Sequence, residues 1–133
     1  MIEQGRILVI EDEEGMRTFL ATLLSDEGYN DVLIVKDGIQ GIARLKAEPF
    51  DLVITDLLMP GLSGYQVMEY IQKNHPQTLV IVITAYGSMA SVTEALRQGA
   101  FDYVTKPFEA GVMLASIARA LEKIRLEKEA REK

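Results

Sequence analysis

The sequence predicts an α/β fold in which five parallel strands form one open sheet that is covered by helices. Two observations lead to this prediction. Short apolar runs rich in β-branched residues recur along the chain without alternating with polar residues, which is typical of strands buried on both faces. Segments with helical periodicity separate these runs, and such an alternation indicates right-handed crossovers within a single parallel sheet.

The first unit combines a strand at 7–10 with a helix that has one continuous apolar stripe. Apolar residues recur at positions i, i+3, i+4, i+7 and i+8, and they are Met16, Phe19, Leu20, Leu23 and Leu24. Gly28 follows at the position where a left-handed C-terminal cap is expected. These features predict a helix that packs on the sheet and ends near residue 28.

The next three units repeat this pattern with shorter helices. Their strands are predicted at 32–35, 52–54 and 79–83. The helices are marked by Ile39, Ile42 and Ala43, by Val67, Met68 and Ile71, and by Val92, Ala95 and Leu96. Each helix is followed by a residue that ends helices, because proline cannot continue a helix and glycine favours its C-terminal cap. These residues are Pro49, Pro76 and Gly99.

The fifth unit has a weaker strand at 102–104 and a long helix from Glu109 onward. Apolar residues of this helix recur at spacings of 3, 4 and 3, and they are Leu114, Ile117, Leu121 and Ile124. The spacing has two interpretations: the residues cover the sheet, or they form a seam for a partner helix.

The bulk composition is that of one acidic domain. The chain has 133 residues, of which 48% are hydrophobic, and 20 acidic residues against 14 basic ones give a net charge of -6. This size fits one domain, and the negative charge disfavours direct nucleic-acid binding. No apolar run is long enough to predict a membrane span, and cysteine is absent. We therefore expect a cytoplasmic protein without disulfides or thiolate metal sites.

Polar residues follow the carboxyl ends of the predicted strands, where ligands bind in open α/β sheets. These residues are Glu11 and Asp12 after the first strand, Asp56 after the third, Thr84 after the fourth and Lys106 after the fifth. Each alone has a structural explanation as a helix cap, a turn residue or a solvated side chain. Together, three carboxylates, one hydroxyl and one ammonium at one edge favour a binding site.

A cluster of Glu11, Asp12 and Asp56 requires cations. Two carboxylates about 4 Å apart repel each other by roughly 4 kcal/mol at an effective dielectric constant near 20. Lys106 supplies one positive charge, and a divalent ion with oxygen ligands, Mg²⁺ or Mn²⁺ rather than Zn²⁺, would supply two more. Asp56 is then a candidate nucleophile that forms an aspartyl phosphate, with Thr84 and Lys106 orienting the phosphoryl oxygens.

Four segments resemble the signature segments of bacterial response-regulator receiver domains. They are 7–13 (Ile-Leu-Val-Ile-Glu-Asp-Glu), 56–64 (Asp-Leu-Leu-Met-Pro-Gly-Leu-Ser-Gly), 84–87 (Thr-Ala-Tyr-Gly) and 99–107 (Gly-Ala-Phe-Asp-Tyr-Val-Thr-Lys-Pro). They occur in the order and at the spacing of that family, and the resemblance covers residues 4–122. It implies a (βα)5 flavodoxin-like sheet with strand order 2-1-3-4-5.

The resemblance also implies a magnesium site. Glu11, Asp12 and Asp56 correspond to the family's metal-binding carboxylates, and the backbone carbonyl of Leu58 corresponds to a further ligand. The acidic pair is Glu-Asp, whereas many members have Asp-Asp, so the Glu11 side chain is one methylene longer.

By the same resemblance, Asp56 accepts a phosphoryl group from a sensor histidine kinase or a phosphotransfer protein. Lys106 resembles the family's phosphate-contacting lysine, and Thr84 and Tyr103 resemble its switch pair. We expect the signal to be a change in the face formed by the fourth helix, the fifth strand and the fifth helix. We also expect a homodimer that tightens on phosphorylation through this face.

Three functional classes are considered. The first is a regulatory switch that assists its own phosphorylation and dephosphorylation without being an enzyme. The second is a phosphatase that passes through an aspartyl phosphate, but such enzymes typically carry an acid where this chain has Leu58. The third is a stand-alone phosphorelay carrier. The helical composition of residues 123–133 instead predicts an extension that starts a linker to an output domain, such as a DNA-binding, ATPase or kinase module.

Overall fold

The computed structural model describes residues 5–85 and 89–132, without the side chain of Met89. Five strands form one parallel sheet in the order β2-β1-β3-β4-β5, which confirms the predicted fold. The strands are β1 (Ile7–Ile10), β2 (Val32–Val35), β3 (Leu52–Asp56), β4 (Leu79–Thr84) and β5 (Asp102–Thr105). The helices are α1 (Glu14–Asp26), α2 (Gly38–Ala47), α3 (Gly64–Asn74), α4 (Met89–Arg97) and α5 (Ala110–Glu132).

Burial follows the position of each strand in the sheet. All residues of β1 and β3 are buried, because both strands have neighbours on either side and helices on both faces. The edge strands β2 and β5 are more exposed. Strands β3 and β4 extend to Asp56 and Thr84, slightly beyond the predicted apolar runs. Both polar residues are therefore held by the strands themselves and not by flexible connections.

Two hydrophobic cores lie on opposite faces of the sheet. One core joins alternate strand residues to α2, α3 and α4, and it includes Leu45, Met68, Ile71 and Ala95. The other joins the remaining strand residues to α1 and α5, and it includes Leu20, Leu24, Met113 and Ile117. The period-2 alternation of each strand divides its side chains between the two cores. Within the described ranges, no helix combines the length and the apolar composition that crossing a membrane requires.

Of the two interpretations of the apolar spacing on the fifth helix, coverage of the sheet holds for Ile117 and Ile124. Ile117 is fully buried and Ile124 is only 5% exposed, and both belong to the core beneath α1 and α5. Leu121 packs partly against the same core. The spacing of 3, 4 and 3 therefore reflects the helix face that covers the chain's own sheet, and this face extends at least to Ile124.

Three apolar residues that mark the predicted helices face solvent instead of the core. Phe19, Ile39 and Leu96 are 42%, 64% and 43% exposed. The Phe19 ring lies 5.9 Å from the Phe108 ring, at the end of the sheet where the polar residues cluster. A helical period identifies the helix, but it does not determine where the edge of the buried stripe falls.

Candidate functional site

The predicted site residues meet at the carboxyl edge of the sheet. Asp56 is the last residue of β3, and Thr84 is the last residue of β4. Glu11 follows β1 directly, and Lys106 follows β5 directly. Glu11, Asp56 and Thr84 are buried, and the Lys106 side chain is only 13% exposed. The parallel arrangement brings these four side chains to one edge of the sheet, although Glu11 and Lys106 are 95 residues apart in the sequence.

Two donors hold the Asp56 carboxylate in place. Its Oδ2 accepts a hydrogen bond from Lys106 Nζ at 2.8 Å, and its Oδ1 accepts one from the Leu58 N–H at 3.0 Å. Leu58 lies in the turn between β3 and α3, so the main chain of this turn orients the carboxylate. Its own side chain is 59% exposed.

Gly64 explains how α3 begins so close to Asp56. A Cβ atom at position 64 would overlap the Asp56 carbonyl oxygen and lie 2.7 Å from Leu57 Cα. The Gly64 N–H also donates to the Leu57 carbonyl at 2.9 Å. A capping box between Ser63 and Gln66 starts the helix at this point. The turn after Asp56 is therefore held by the main-chain hydrogen bond from Gly64 to Leu57 and by the capping box that begins α3.

Glu11 is fully buried, and its two oxygens have different surroundings. Oε2 accepts a hydrogen bond from the Glu13 N–H at 3.0 Å. Oε1 lies 2.8 Å from the Lys106 ammonium but makes no hydrogen bond among the described residues. Burial raises the pKa of Glu11, whereas Lys106 and the Glu13 N–H act in the opposite direction. The buried carboxylate is therefore incompletely compensated.

Lys106 is the cation between the two buried carboxylates. Its Nζ lies 2.8 Å from both Glu11 Oε1 and Asp56 Oδ2. Burial alone would lower the pKa of Lys106, but Asp56 and Glu11 outweigh it and raise the pKa. The Lys106 N–H donates to the Thr84 carbonyl at 2.8 Å, so the ends of β4 and β5 are joined beside the site.

The residues at this edge fit a small divalent cation that prefers oxygen ligands. Glu11, Asp12 and Asp56 each offer a carboxylate oxygen, and these atoms all lie within 4.8 Å of one another. Glu11 and Asp56 are buried, whereas Asp12 is exposed, so the cluster opens to solvent on one side. Glu11 Oε1 supplies a buried oxygen without a hydrogen bond. This donor set suits Mg²⁺ or Mn²⁺, which retain water ligands, better than Zn²⁺.

Thr84 and Tyr103 lie on neighbouring strands. Val82 pairs with Tyr103, and Thr84 pairs with Thr105, so the side chains of Thr84 and Tyr103 project from the same face of the sheet. Thr84 is buried, and Tyr103 is 39% exposed. Tyr86, which follows Thr84 in its predicted segment, lies outside the described residues.

One residue next to the site has no counterpart in the sequence prediction. The Arg17 guanidinium on α1 donates a hydrogen bond to the Glu11 carbonyl at 3.0 Å. Long side chains of a helix point back toward its N-terminus. A basic residue in the first turn of a helix that follows the acidic pair is therefore the signal that could have identified it.

Comparison with known proteins shows the family to which this chain belongs. The family model described as "Response regulator receiver domain" matches residues 7–118. Over 120 residues the chain is 42% identical to the Bacillus subtilis protein "Uncharacterized transcriptional regulatory protein YkoG". The match covers 90% of this chain and 52% of that protein. For several other curated relatives the chain covers between 24% and 28% of the relative.

Solved structures agree with this family. The signal receiver domain of a putative Luxo repressor protein from Vibrio parahaemolyticus matches with a TM-score of 0.90 and 30% identity, over 96% of this chain and 98% of that chain. The beryllofluoride-activated NtrC4 receiver domain dimer matches with a TM-score of 0.84 and 32% identity, over 90% and 98% of the two chains.

Proposed function

The chain belongs to the response-regulator receiver family, and from this premise we propose that it is a phosphorylation-controlled switch whose phosphoacceptor is Asp56. The observation that carries the proposal is the surroundings of the Asp56 carboxylate. It is buried at the end of a central strand, bound by Lys106 and by the Leu58 N–H, and it lies beside Glu11 and Asp12.

In the proposed reaction, an Asp56 carboxylate oxygen attacks the phosphorus of the donor. A bond forms between that oxygen and phosphorus, and the bond from phosphorus to the donor's leaving group breaks. The hydrogen bonds from Leu58 and Lys106 orient the carboxylate for this attack. Lys106 and the Thr84 hydroxyl then contact phosphoryl oxygens, and the ammonium offsets part of their charge.

Glu11, Asp12 and Asp56 would hold Mg²⁺ or Mn²⁺, with the carbonyl of Leu58 as a further ligand. When bound, the cation supplies charge neutralisation for the phosphoryl oxygens. The cation would add positive charge where, among the residues that the structure describes, the two buried carboxylates Glu11 and Asp56 share the Lys106 ammonium. With the cation bound to these carboxylates, the Lys106 ammonium could contact the phosphoryl oxygens instead.

The phosphoryl donor is proposed to be a sensor histidine kinase or a phosphotransfer protein, as family membership implies. We propose no enzymatic activity toward external phosphate esters. A phosphatase that uses an aspartyl phosphate requires a proton donor near the nucleophile, and the position two residues after Asp56 is Leu58.

The proposed signal passes from Thr84 to Tyr103 and then to the face formed by α4, β5 and α5. Thr84 would move toward the new phosphoryl oxygens, and the half-exposed Tyr103 ring on the same face of the sheet would turn inward. Leu96 and Tyr103 give this face exposed apolar surface. Arg119 and Asp102 form an ion pair of 2.9 Å on it.

We propose that this face forms a homodimer when Asp56 is phosphorylated. The NtrC4 receiver, a structural relative, is described as a dimer in its beryllofluoride-activated form. We further propose that residues 4–122 form the receiver and that residues 123–133 extend its last helix toward an output domain.

Treatment with acetyl phosphate and Mg²⁺ tests the assignment of the phosphoacceptor. Intact-mass spectrometry of the parent protein should show the addition of one phosphoryl group. Asp56→Asn should show none, because an amide nitrogen does not replace the nucleophilic carboxylate oxygen. Asp26→Asn is a matched control, since Asp26 is exposed at the far end of α1 and should leave phosphorylation unchanged. Full phosphorylation of Asp56→Asn would refute the assignment.

A further inference from the structure

The Glu11 N–H donates to the Val35 carbonyl at 3.1 Å. Two further contacts of Glu11 hold the acidic connection between β1 and α1. Glu13 is the N-cap residue of α1, but its side chain makes no capping hydrogen bond. The Glu13 N–H instead donates to Glu11 Oε2 at 3.0 Å. The second contact is the hydrogen bond of 3.0 Å from Arg17 to the Glu11 carbonyl. Asp12, the exposed carboxylate of the cluster, lies in the chain between Glu11 and the two residues that contact it, Glu13 and Arg17.

These two contacts respond differently to a bound cation. The contact with the Glu13 N–H uses the side chain of a proposed metal ligand, so any movement of the Glu11 carboxylate on cation binding changes this contact. The contact with Arg17 uses the main chain and does not depend on where the Glu11 carboxylate points. It is partly buried and charge-assisted, which makes it stronger than a neutral hydrogen bond.

We propose that Arg17 is a positioning residue for the divalent cation. It holds the main chain from which Asp12 projects, so that the acidic pair keeps its geometry in the free and in the cation-bound protein. The inference rests on the proposed function, because it concerns the same cation. A prearranged ligand loses less conformational freedom on binding, and the partners that hold metal ligands contribute strongly to metal affinity.

The charge of Arg17 acts against this role, and the opposition makes the proposal testable. A guanidinium close to the site repels a divalent cation. If charge were its only contribution, removal of Arg17 would strengthen Mg²⁺ binding. If positioning dominates, removal of Arg17 weakens Mg²⁺ binding although the net charge of the protein becomes more negative.

The test is a calorimetric Mg²⁺ titration of the full chain without a phosphodonor. Arg17→Ala should weaken Mg²⁺ binding about tenfold, in line with losses seen when outer partners of metal ligands are removed. Arg17→Lys should recover part of the affinity, because an ammonium can still donate to the Glu11 carbonyl. Arg97→Ala, which removes a positive charge from a side chain that is 74% exposed on α4, is the charge-matched control and should leave binding unchanged. Asp12→Ala provides the reference for a lost ligand.

A second readout separates positioning from chemistry. With acetyl phosphate, Arg17→Ala should require more Mg²⁺ for half-maximal phosphorylation, whereas the rate at saturating Mg²⁺ should match the parent rate. Tighter Mg²⁺ binding by Arg17→Ala would overturn the proposal in favour of a purely electrostatic effect. Unchanged Mg²⁺ binding with a lower melting temperature would overturn it in favour of a structural role. If Arg17→Ala does not fold, the same comparison of Arg17→Lys with the parent decides.

The Mg²⁺ titration needs no phosphorylation. A parent protein that binds Mg²⁺ but is never phosphorylated would therefore contradict the proposed function without affecting the result for Arg17.

Discussion

At the scale of single residues, the arrangement of Glu11, Asp56 and Lys106 is an unbalanced set of charges. Two buried carboxylates share one ammonium, and one oxygen of Glu11 makes no hydrogen bond among the residues that the structure describes. Burial of charge without full compensation is costly. A further cation would stabilise these buried carboxylates. The charge imbalance therefore supports the proposal that the acidic residues bind a divalent cation.

The sequence predicts which residues meet at this edge, because strand ends are readable from apolar runs. It does not predict how they contact each other. The hydrogen bond from Glu13 to Glu11 and the one from Arg17 to the Glu11 carbonyl depend on the path of a three-residue connection. Such local geometry has no periodic signature, so the sequence offers Arg17 only as a basic residue near the start of α1 and does not show that it contacts the Glu11 carbonyl.

The side chain of Leu58 gives a prediction about the lifetime of the phosphorylated state. It is 59% exposed beside Asp56 and offers no polar group that could align an attacking water. Leu58→Asn introduces an amide at this position, and we expect the phosphorylated variant to decay several-fold faster than the parent, because the amide can orient an attacking water. The decay is measured by intact-mass spectrometry after removal of the phosphodonor. A parent that decays faster than Leu58→Asn would disprove this explanation.

At the scale of elements, the strands and helices were predictable because each has a consistent pattern. Strand β1 is apolar throughout, and β3 and β4 are apolar up to the polar residues at their carboxyl ends. Helix α1 ends at Asp26, two residues before Gly28, which has a positive φ of 93°. The fifth helix shows where the pattern is insufficient. An apolar spacing of 3, 4 and 3 fits both an exposed seam and a sheet-covering face, and only the packing of Ile117 and Ile124 distinguishes them.

The C-terminal part of α5 contacts residues at the amino ends of β1 and β3, opposite the candidate site. Lys128 Nζ lies 2.8 Å from Asp51 Oδ1, and Asp51 Oδ2 accepts a hydrogen bond of 2.8 Å from the Arg6 N–H. A Cβ atom at Gly5 would lie only 2.7 Å from Leu121 Cδ2, so the helix passes very close to the start of β1. The helix therefore packs on the domain beyond residue 122.

This packing predicts different effects for two neighbouring apolar residues. Ile124→Ala should lower the free energy of unfolding by about 2–5 kcal/mol, because it leaves a cavity in the core beneath α5. Leu126→Ala is the matched control, and since Leu126 is 50% exposed, the change should stay within about 0.5 kcal/mol. Urea denaturation followed by circular dichroism measures both. Equal effects of the two substitutions would show that the extension does not pack as described.

At the scale of the whole molecule, the fold separates the site from the surface that would carry the signal. The proposed phosphoacceptor, Asp56, lies at the end of β3, and the proposed output face lies two strands away at β5. Thr84 and Tyr103, on adjacent strands and the same face of the sheet, are the side chains between them. In the proposed mechanism, a movement of Thr84 at the site changes the surface formed by α4, β5 and α5 through Tyr103.

The proposed dimer is tested by light scattering with and without beryllofluoride in Mg²⁺. We expect a larger mass in the presence of beryllofluoride, and Leu96→Glu should prevent it, because this change places a charge on the exposed part of α4. Leu126→Glu is the comparison, since Leu126 lies on the C-terminal part of α5 and should not affect this dimer. Loss of the dimer in Leu126→Glu alone would move the interface to the helical extension. A monomer under all conditions would exclude homodimerisation.

We propose that a phosphoryl group at Asp56 changes the surface around Tyr103. The most direct measurement is a ¹H–¹⁵N correlation spectrum with and without beryllofluoride in Mg²⁺, for the parent and for Asp56→Asn. We expect shifted amide signals in the parent both next to Asp56 and along β5 and α4, and no shifts in Asp56→Asn. Equal shifts in Asp56→Asn, or shifts in the parent that stop at the edge of the site, would disprove this proposal.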